Sequence, residues 1–317
     1  MEHLFKHTSE LSRKELEEIE DLFARVFEKS RPVETHLAQF VNNPLGYSYH
    51  SLIVDDGHIV GINSYVPVYY ILNGRKLLFA NSIDSMVDKP YRDFFAYKDM
   101  VDLAYREMRK EGVSFVYGYP NDNAYPVVIK SRLMKDIGKM RTYCLPLHVG
   151  GVKKRLAFLN PLSSLFCWAW VAVSGLLASR RAADFPVHKD EGTYNATRYR
   201  RGDGKYSTAD LGDATLYYKI KNHEGVRTAF IIDITRKSPA GFVKAVKHII
   251  RHHSGEFDLI LYPGWLPFGI TGMIRLPRRF EPKNFNFTGK VLGKEAIPKE
   301  IWDIRNWDTN LSNYDLI

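Results

Sequence analysis

The sequence predicts a mixed α/β fold (an α+β mixed sheet) in which antiparallel hairpins feed a strand–helix–strand crossover, and not a doubly wound parallel sheet. Three observations carry this. The apolar period changes from helical to alternating near residue 50. Two tight-turn dipeptides, Asp56-Gly57 and Asn73-Gly74, each lie between runs of strand-forming residues. A strand read over 76–87 is followed by a helical pattern over 94–110 and a further strand over 113–119.

Each element has a local reason. Ser12, followed by Glu15, forms a capping box ahead of Leu16, Ile19, Leu22, Phe23, Val26 and Phe27, which share one helix face. A shorter apolar pattern at Leu37, Phe40 and Val41 runs to Asn42-Asn43-Pro44. Residues 51–54, 58–70 and 76–87 then read as three antiparallel strands joined by the two turns. Pro90-Tyr91-Arg92 stops the third strand, and Gly112 ends the helix that follows. A short helix over 121–133, limited by Pro126, and a strand over 141–149 complete the order α, α, β, β, β, α, β, α, β. Further on, 215–220 and 227–234 read as a hairpin turned at 222–225, followed by a helix over 239–253 and a strand over 257–262, while 198–213 reads as a loop. The order β, β, α, β thus recurs.

The chain has 317 residues, 45% of them hydrophobic and 13% aromatic, enough for two modest domains with sizeable cores. Dominant disorder, collagen and a coiled-coil rod are excluded. Two cysteines, Cys144 and Cys167, make no disulfide framework and point to a reducing compartment. Lys and Arg number 45 against 36 Asp and Glu, a net +9 that suits an anionic partner. Nucleic acid is the weakest such partner, because the basic residues are scattered and no nucleic-acid motif is present. Met1-Glu2-His3-Leu4-Phe5-Lys6 leads into no apolar run, so the chain is expected to stay in the cytoplasm.

Residues 156–179 hold no charge, while Lys153, Lys154 and Arg155 precede them and Arg180 and Arg181 follow. The segment reads as a helix buried between domains, a helix lying in one leaflet, or a membrane span. It divides the chain into an expected first domain (1–150), a hydrophobic interdomain segment (151–190) and a second domain (191–317). The first two readings predict packing or an interfacial position for Trp168 and Trp170.

The stretch that carries chemistry is Asp84-Ser85-Met86-Val87-Asp88-Lys89-Pro90-Tyr91-Arg92-Asp93-Phe94-Phe95-Ala96. A strand ends, a turn follows and a helix begins. Free amides at a helix N-terminus and the helix dipole make an anion site, to which Arg92 can add a bidentate contact. A pyrophosphate would fit. An ordinary strand-to-helix connection is the alternative. His248 and His252 stand at i, i+4 but read better as an exposed helix face than as a metal site, so no metal is expected. Arg236-Lys237-Ser238-Pro239-Ala240-Gly241 faintly echoes the same strand-to-helix loop.

Over residues 10–150 this pattern resembles the GNAT N-acyltransferase superfamily, through Asp84-Ser85-Met86-Val87, Tyr91-Arg92 and Tyr117-Gly118-Tyr119-Pro120-Asn121. The resemblance implies tandem GNAT-like domains, the second degenerate, with Trp307-Asp308-Thr309-Asn310-Leu311-Ser312-Asn313-Tyr314-Asp315 as the tail of two-domain members. It implies acetyl-CoA, or another acyl-CoA, held by Arg92, Asp93, Phe94, Phe95 and Ala96, with pantetheine beside Ser85, Met86 and Val87 and a contribution from Asn121. Asp84 is the implied base. The sequence departs from the family twice. The glycines of the phosphate loop are replaced by Phe95 and Tyr97, and the tyrosine that protonates the departing thiolate is Val128, leaving Tyr125 as the nearby substitute.

The implied activity is acyl transfer from CoA to a small amine, such as an amino sugar or aminoacyl acceptor in surface-polysaccharide or envelope assembly. Two other readings stand beside it: a catalytically degenerate GNAT-like binding or scaffold protein at an anionic membrane surface, and an aminoacyl-tRNA-using transferase of the Fem type.

Overall fold

In this computed structural model, which describes residues 1–198, 206–281, 285–293 and 296–314, the chain opens with strand β1 (Glu2–His7). Helices α1 (Arg13–Phe27) and α2 (Val33–Val41) follow, then β2 (Tyr49–Asp55), β3 (His58–Leu72), β4 (Arg75–Val87) and α3 (Phe94–Lys110). Next come β5 (Phe115–Gly118), α4 (Ala124–Lys130), β6 (Lys135–Lys139), β7 (Arg141–Pro146), α5 (Val149–Val152) and α6 (Asn160–Leu177). The remainder is β8 (Val187–Lys189), α7 (Glu191–Arg198), β9 (Ser207–Asp210), β10 (Thr215–His223), β11 (Val226–Ile234), α8 (Pro239–His253), β12 (Leu259–Gly264), β13 (Ile274–Arg275) and β14 (Asn286–Val291).

Local signals are realised where they were strongest. Ser12 and Glu15 form the capping box of α1. The β2–β3 turn has Asp56 at φ 48 and Gly57 at φ 77, and the β3–β4 turn has Asn73 at φ 48 and Gly74 at φ 80. Two consecutive left-handed residues match the right-handed twist of the flanking strands. Missed elements were short or polar. β1 carries Glu2, His3, Lys6 and His7, which hide its alternation, and it lies on a sheet edge where charge is tolerated. Part of the expected loop over 198–213 is β9; residues 199–205 lie outside the described residues.

Two compact units result, and they are not linear halves. The first comprises Met1–Gly138, Pro186–Gly204 and Asn284–Asn306; the second comprises Lys139–Phe185, Lys205–Lys283 and Trp307–Ile317. The first is built on an eight-stranded sheet ordered β1-β2-β3-β4-β5-β14-β6, with β8 added to β3. The second holds a six-stranded sheet ordered β13-β7-β12-β11-β10-β9. Both sheets are mixed. β4 pairs in parallel with β5 across the α3 crossover, and β11 pairs in parallel with β12 across the α8 crossover. The recurrence of β, β, α, β is therefore a recurrence of topology. The antiparallel neighbour of β5 is β14, and that of β12 is β7. Each parallel pair thus receives its next strand from a distant part of the chain.

In the first unit the helices cover both faces. Leu16, Ile19 and Leu22 of α1 pack with Leu52, Ile62 and Met86. On the other face Val101, Ala104 and Met108 of α3 and Val128 of α4 pack with Tyr49, Tyr65 and Val116. In the second unit Phe242, Val246 and Ile249 of α8 join Cys167 and Val171 of α6 over Leu145, Leu216, Ile231 and Ile260.

Candidate active site on the bulged strand of the first unit

The β3–β4 register pairs Ile62 with Met86 and then Ser64 with Ile83. One residue of β3 therefore faces two of β4, Asp84 and Ser85. Asp84 sits at φ 47, a left-handed conformation used in one class of β-bulge and tolerated by Asp better than by most residues. The bulge falls just beyond the last parallel pair, Ser82 with Gly118, after which β4 runs on to Val87 and β5 gives way to Tyr119-Pro120-Asn121. Two parallel strands that part at their carboxyl ends open a crevice there. Asp84 and Ser85 stand on β4 at this point.

The bulge sends these neighbours to different faces. Asp84 Oδ2 accepts from Arg31 Nη2 at 2.8 Å, on the side of α1 and α2. Arg31 also donates to both carboxylate oxygens of Glu20, at 3.0 and 3.1 Å, and to Gln39 at 3.1 Å. His36 Nδ1 lies 2.5 Å from Glu20. Burial works against the Arg31 charge, but Asp84 and Glu20 outweigh it and hold the guanidinium above its ordinary value. Asp84, the implied base, is thus an ion-paired carboxylate. Ser85 faces α3: its Oγ lies 3.1 Å from the Tyr97 hydroxyl. Burial raises the Tyr97 phenol, so it stays protonated through the neutral range. Met86 is buried in the α1 core and Val87 packs beside Ala96 and Met100.

The helix entrance differs from the expected anion site. Asp93 caps α3, and its Oδ2 accepts from the amides of Phe95 at 2.7 Å and Ala96 at 2.9 Å. A carboxylate of the chain itself therefore occupies the amides assigned to a phosphate. Phe95, which stands where the resemblance implies a glycine, is 71% exposed and projects into solvent beside Phe94. Tyr97 is the residue that turns inward, packing against the hydrophobic clusters on that face. Arg92 Nε donates to Val87 O at 3.1 Å, tying the turn back to β4.

On α4, Val128 is buried in the core, as its apolar character dictates. The Tyr125 hydroxyl donates to Asp136 on β6 at 2.9 Å, and burial followed by that carboxylate pushes its pKa up to about 12. Asn121 accepts the amides of Asn123 and Ala124, at 3.0 and 2.9 Å, and so starts α4. The structure brings Asp84, Ser85, Met86, Val87, Arg92 and the α3 entrance together on one strand–turn–helix, whereas Tyr125 and Asn121 are committed to local bonds. Tyr97 is the hydroxyl that sequence reasoning passed over; its signal was a polar aromatic where the resemblance implies glycine. A cavity of about 650 Å³ lies in the same unit, lined by Ile129, Arg132, Met134, Lys135, Asp136, Lys290, Val291 and Trp302, and includes none of the expected site residues.

In the second unit the echo loop is closed. The Lys237 side chain is 2% exposed, with Nζ 2.6 Å from Asp233 and 2.9 Å from Asp308. Ser238 caps α8 by accepting from Gly241 at 3.0 Å. The tail from Trp307 completes this buried cluster through Asn310 and Ser312, which both donate to Asp233; Asp315 lies outside the described residues. His252 Nδ1 lies 2.9 Å from the His248 carbonyl, and among the described residues no group of three or more His, Cys, Asp or Glu could hold a metal.

Residues 7–128, all within the first unit, match the family model of the acetyltransferase (GNAT) domain. The fold of GNAT proteins extends over most of the chain. A GCN5-related N-acetyltransferase from Kribbella flavida superposes with a TM-score of 0.58 at 12% identity, covering 91% of this chain and 71% of that one. One from Anabaena variabilis gives 0.57 at 12% identity, over 91% and 73%. Eis1 from Mycobacterium abscessus gives 0.56 at 12% identity, over 92% and 74%. A search of curated proteins returns no match.

Proposed function

We propose that the chain is an acyl-CoA-dependent N-acyltransferase that delivers an acetyl or longer acyl group to an amine. The observation that carries this reading is the Asp84–Ser85 bulge at the point where β4 and β5 part. In the reaction the amine nitrogen attacks the thioester carbonyl, the C–N bond forms and the C–S bond breaks. The acceptor's ammonium gives up a proton to become the attacking amine, the nitrogen sheds its further proton as the C–S bond breaks, and the CoA thiolate gains one. Asp84, ion-paired with Arg31, is the carboxylate that draws the cationic acceptor and takes up its proton. Tyr97, held protonated beside Ser85, supplies the proton to the thiolate in place of Tyr125. Ser85, Met86 and Val87 flank the pantetheine, and Arg92 reaches the pyrophosphate. The amides of Phe95 and Ala96 join it only when Asp93 swings away.

The finer parts of the proposal are an amino sugar or aminoacyl acceptor in surface-polysaccharide or envelope assembly, and a cytoplasmic chain resting peripherally on the inner face of an anionic membrane. The net charge of +9 supports an anionic carrier or surface. A second reading, a degenerate GNAT-like binding or scaffold protein, is favoured by the Asp93 cap, which fills the phosphate amides with a negative charge.

A thermal-shift screen with CoA, acetyl-CoA and longer acyl-CoAs, followed by thiol release against a panel of amines, separates the two. Stabilisation by an acyl-CoA together with amine-dependent thiol release is the expected result. Stabilisation by none of them leaves the scaffold reading.

A further inference from the structure

The helix α6 is built inside out. Its polar side chains turn toward the second unit. Ser163 and Ser164 both donate to the Leu147 carbonyl at 2.9 Å, Asn160 accepts the Gly150 amide at 2.8 Å, and Cys167 Sγ lies 3.3 Å from the Pro146 carbonyl. Ser174 is buried with Cys167 and Val171. Its exposed side chains are all apolar, among them Leu162, Leu165, Phe166, Trp168, Val173 and Leu176, the last 87% exposed. At the helical repeat the exposed positions span an arc of roughly 200°. A helix facing water has the opposite arrangement.

We infer that this outer face of α6 seats the protein in one leaflet of an anionic bilayer, with the helix lying in the membrane plane. The inference deepens the peripheral-membrane part of the proposed function and is independent of the acyl-transfer part. Three observations fix the mode and the partner. A span would need lipid or other apolar helices on every side. Here one stripe is buried in the core of the second unit, and the Lys247 ammonium lies so close to Gly175 that a side-chain carbon there would meet it at 2.8 Å. The charge pattern selects an anionic surface. Lys153, Lys154, Arg155, Arg180 and Arg181 are all exposed at the two ends, and no Asp or Glu occurs between Asp136 and Asp184. The same pattern argues against a second copy of the chain, since two antiparallel α6 helices related by a two-fold axis would bring one basic end against the other. Trp168 and Trp170, each partly exposed with an apolar body and one N–H donor, suit the headgroup boundary.

Flotation of the full chain with phosphatidylcholine vesicles, with and without added phosphatidylglycerol, tests this. Wild type is expected to float with the anionic vesicles, and Trp fluorescence to be quenched by shallow rather than deep brominated lipids. The double substitution Leu165→Glu/Leu176→Glu touches side chains outside the core, so the urea midpoint holds while partitioning falls by roughly tenfold or more. Lys154→Glu/Arg180→Glu removes the preference for anionic lipid. The inference is overturned if wild type floats with neither vesicle, if quenching is deepest at the bilayer centre, or if light scattering shows a dimer that Leu165→Glu/Leu176→Glu splits. CoA binding measured on the same samples keeps the two proposals apart: flotation without CoA binding removes acyl transfer alone, and CoA binding without flotation removes the anchor alone.

Discussion

Asp93 accepts the amide of Ala96 at 2.9 Å, so the first turn of α3 is satisfied by a carboxylate from its own chain. The helix dipole favours a negative charge at this end, and the cap stabilises α3 by ~0.5–2 kcal/mol. The same charge competes with any phosphate. Asp93→Ala is therefore expected to lower the thermal midpoint and to tighten CoA. A hydrogen bond to a charged group contributes ~1.5–3 kcal/mol, so a gain of roughly tenfold or more in calorimetry follows if the freed amides are used. Arg92→Ala acts in the other direction, weakening CoA by roughly 10–150-fold. Unchanged heats for both variants would place the phosphates away from this turn.

The proposed reaction needs a proton donor for the thiolate, and the hydrogen bonds of two tyrosines separate them as candidates. Tyr97 points at Ser85 on the bulged strand, while Tyr125 is bonded to Asp136. Tyr97→Phe keeps the ring packed against Val101 and Met100 and loses only the hydroxyl. Turnover is expected to drop by roughly 100-fold or more, as for a lost general acid, with CoA affinity little changed. Tyr125→Phe should stay within a few-fold of wild type. The reverse ranking in a thiol-release assay would return the role to Tyr125.

What was legible in the sequence was local. The Ser12–Glu15 box, the Asp56-Gly57 and Asn73-Gly74 turns and the helix ending before Gly112 depend on residues a few positions apart. The strand–turn–helix that holds Asp84, Ser85 and Arg92 was legible for the same reason. β14 was not, because its partner β5 lies about 170 residues away and nothing in its six residues encodes that pairing. β7 was legible as a strand, but its place beside β12 was not. Side-chain direction was the other blind spot. Phe95 and Tyr97 stand two residues apart, roughly 200° around α3, so one turns to solvent while the other turns inward, and which does so depends on where the helix starts.

The buried cluster around Lys237 gives a stability prediction. Its ammonium meets Asp233 and Asp308, and Asp233 also accepts from Asn310 and Ser312. Burial opposes the charge, but the two carboxylates prevail and raise the Lys237 pKa above its ordinary value. Lys237→Met removes the cation and leaves two buried carboxylates facing one another. Breaking a buried pair in this way costs about 3–5 kcal/mol. Removing all three charges with Lys237→Met/Asp233→Asn/Asp308→Asn should recover part of that loss in urea unfolding. A single substitution as stable as wild type would show that the tail is not held by this cluster.

His50 gives a pH dependence whose sign can be worked out. It is fully buried, with Nε2 2.9 Å from the Thr8 hydroxyl and Nδ1 2.9 Å from the Ser64 hydroxyl. Burial first, and then the neighbouring His36 and His7, push its pKa well below the ordinary value. Above about pH 6.5 the imidazole is neutral in both folded and unfolded chains, and it contributes no pH dependence. Below that, the unfolded chain binds a proton that the folded chain refuses. Stability then falls by about 1.4 kcal/mol per pH unit as the medium is acidified. His248 is also lowered, by burial and then by His252 and His253, and adds in the same direction, less strongly because it is partly exposed. Carboxylates held low, such as Glu20 and Asp258, begin to contribute only nearer pH 4.5. Urea midpoints between about pH 5 and 6.5 therefore isolate the histidines. Wild type should lose stability across that window, and His50→Asn, less stable at neutral pH, should lose less. Parallel slopes for the two proteins would show that His50 takes up its proton in the folded chain.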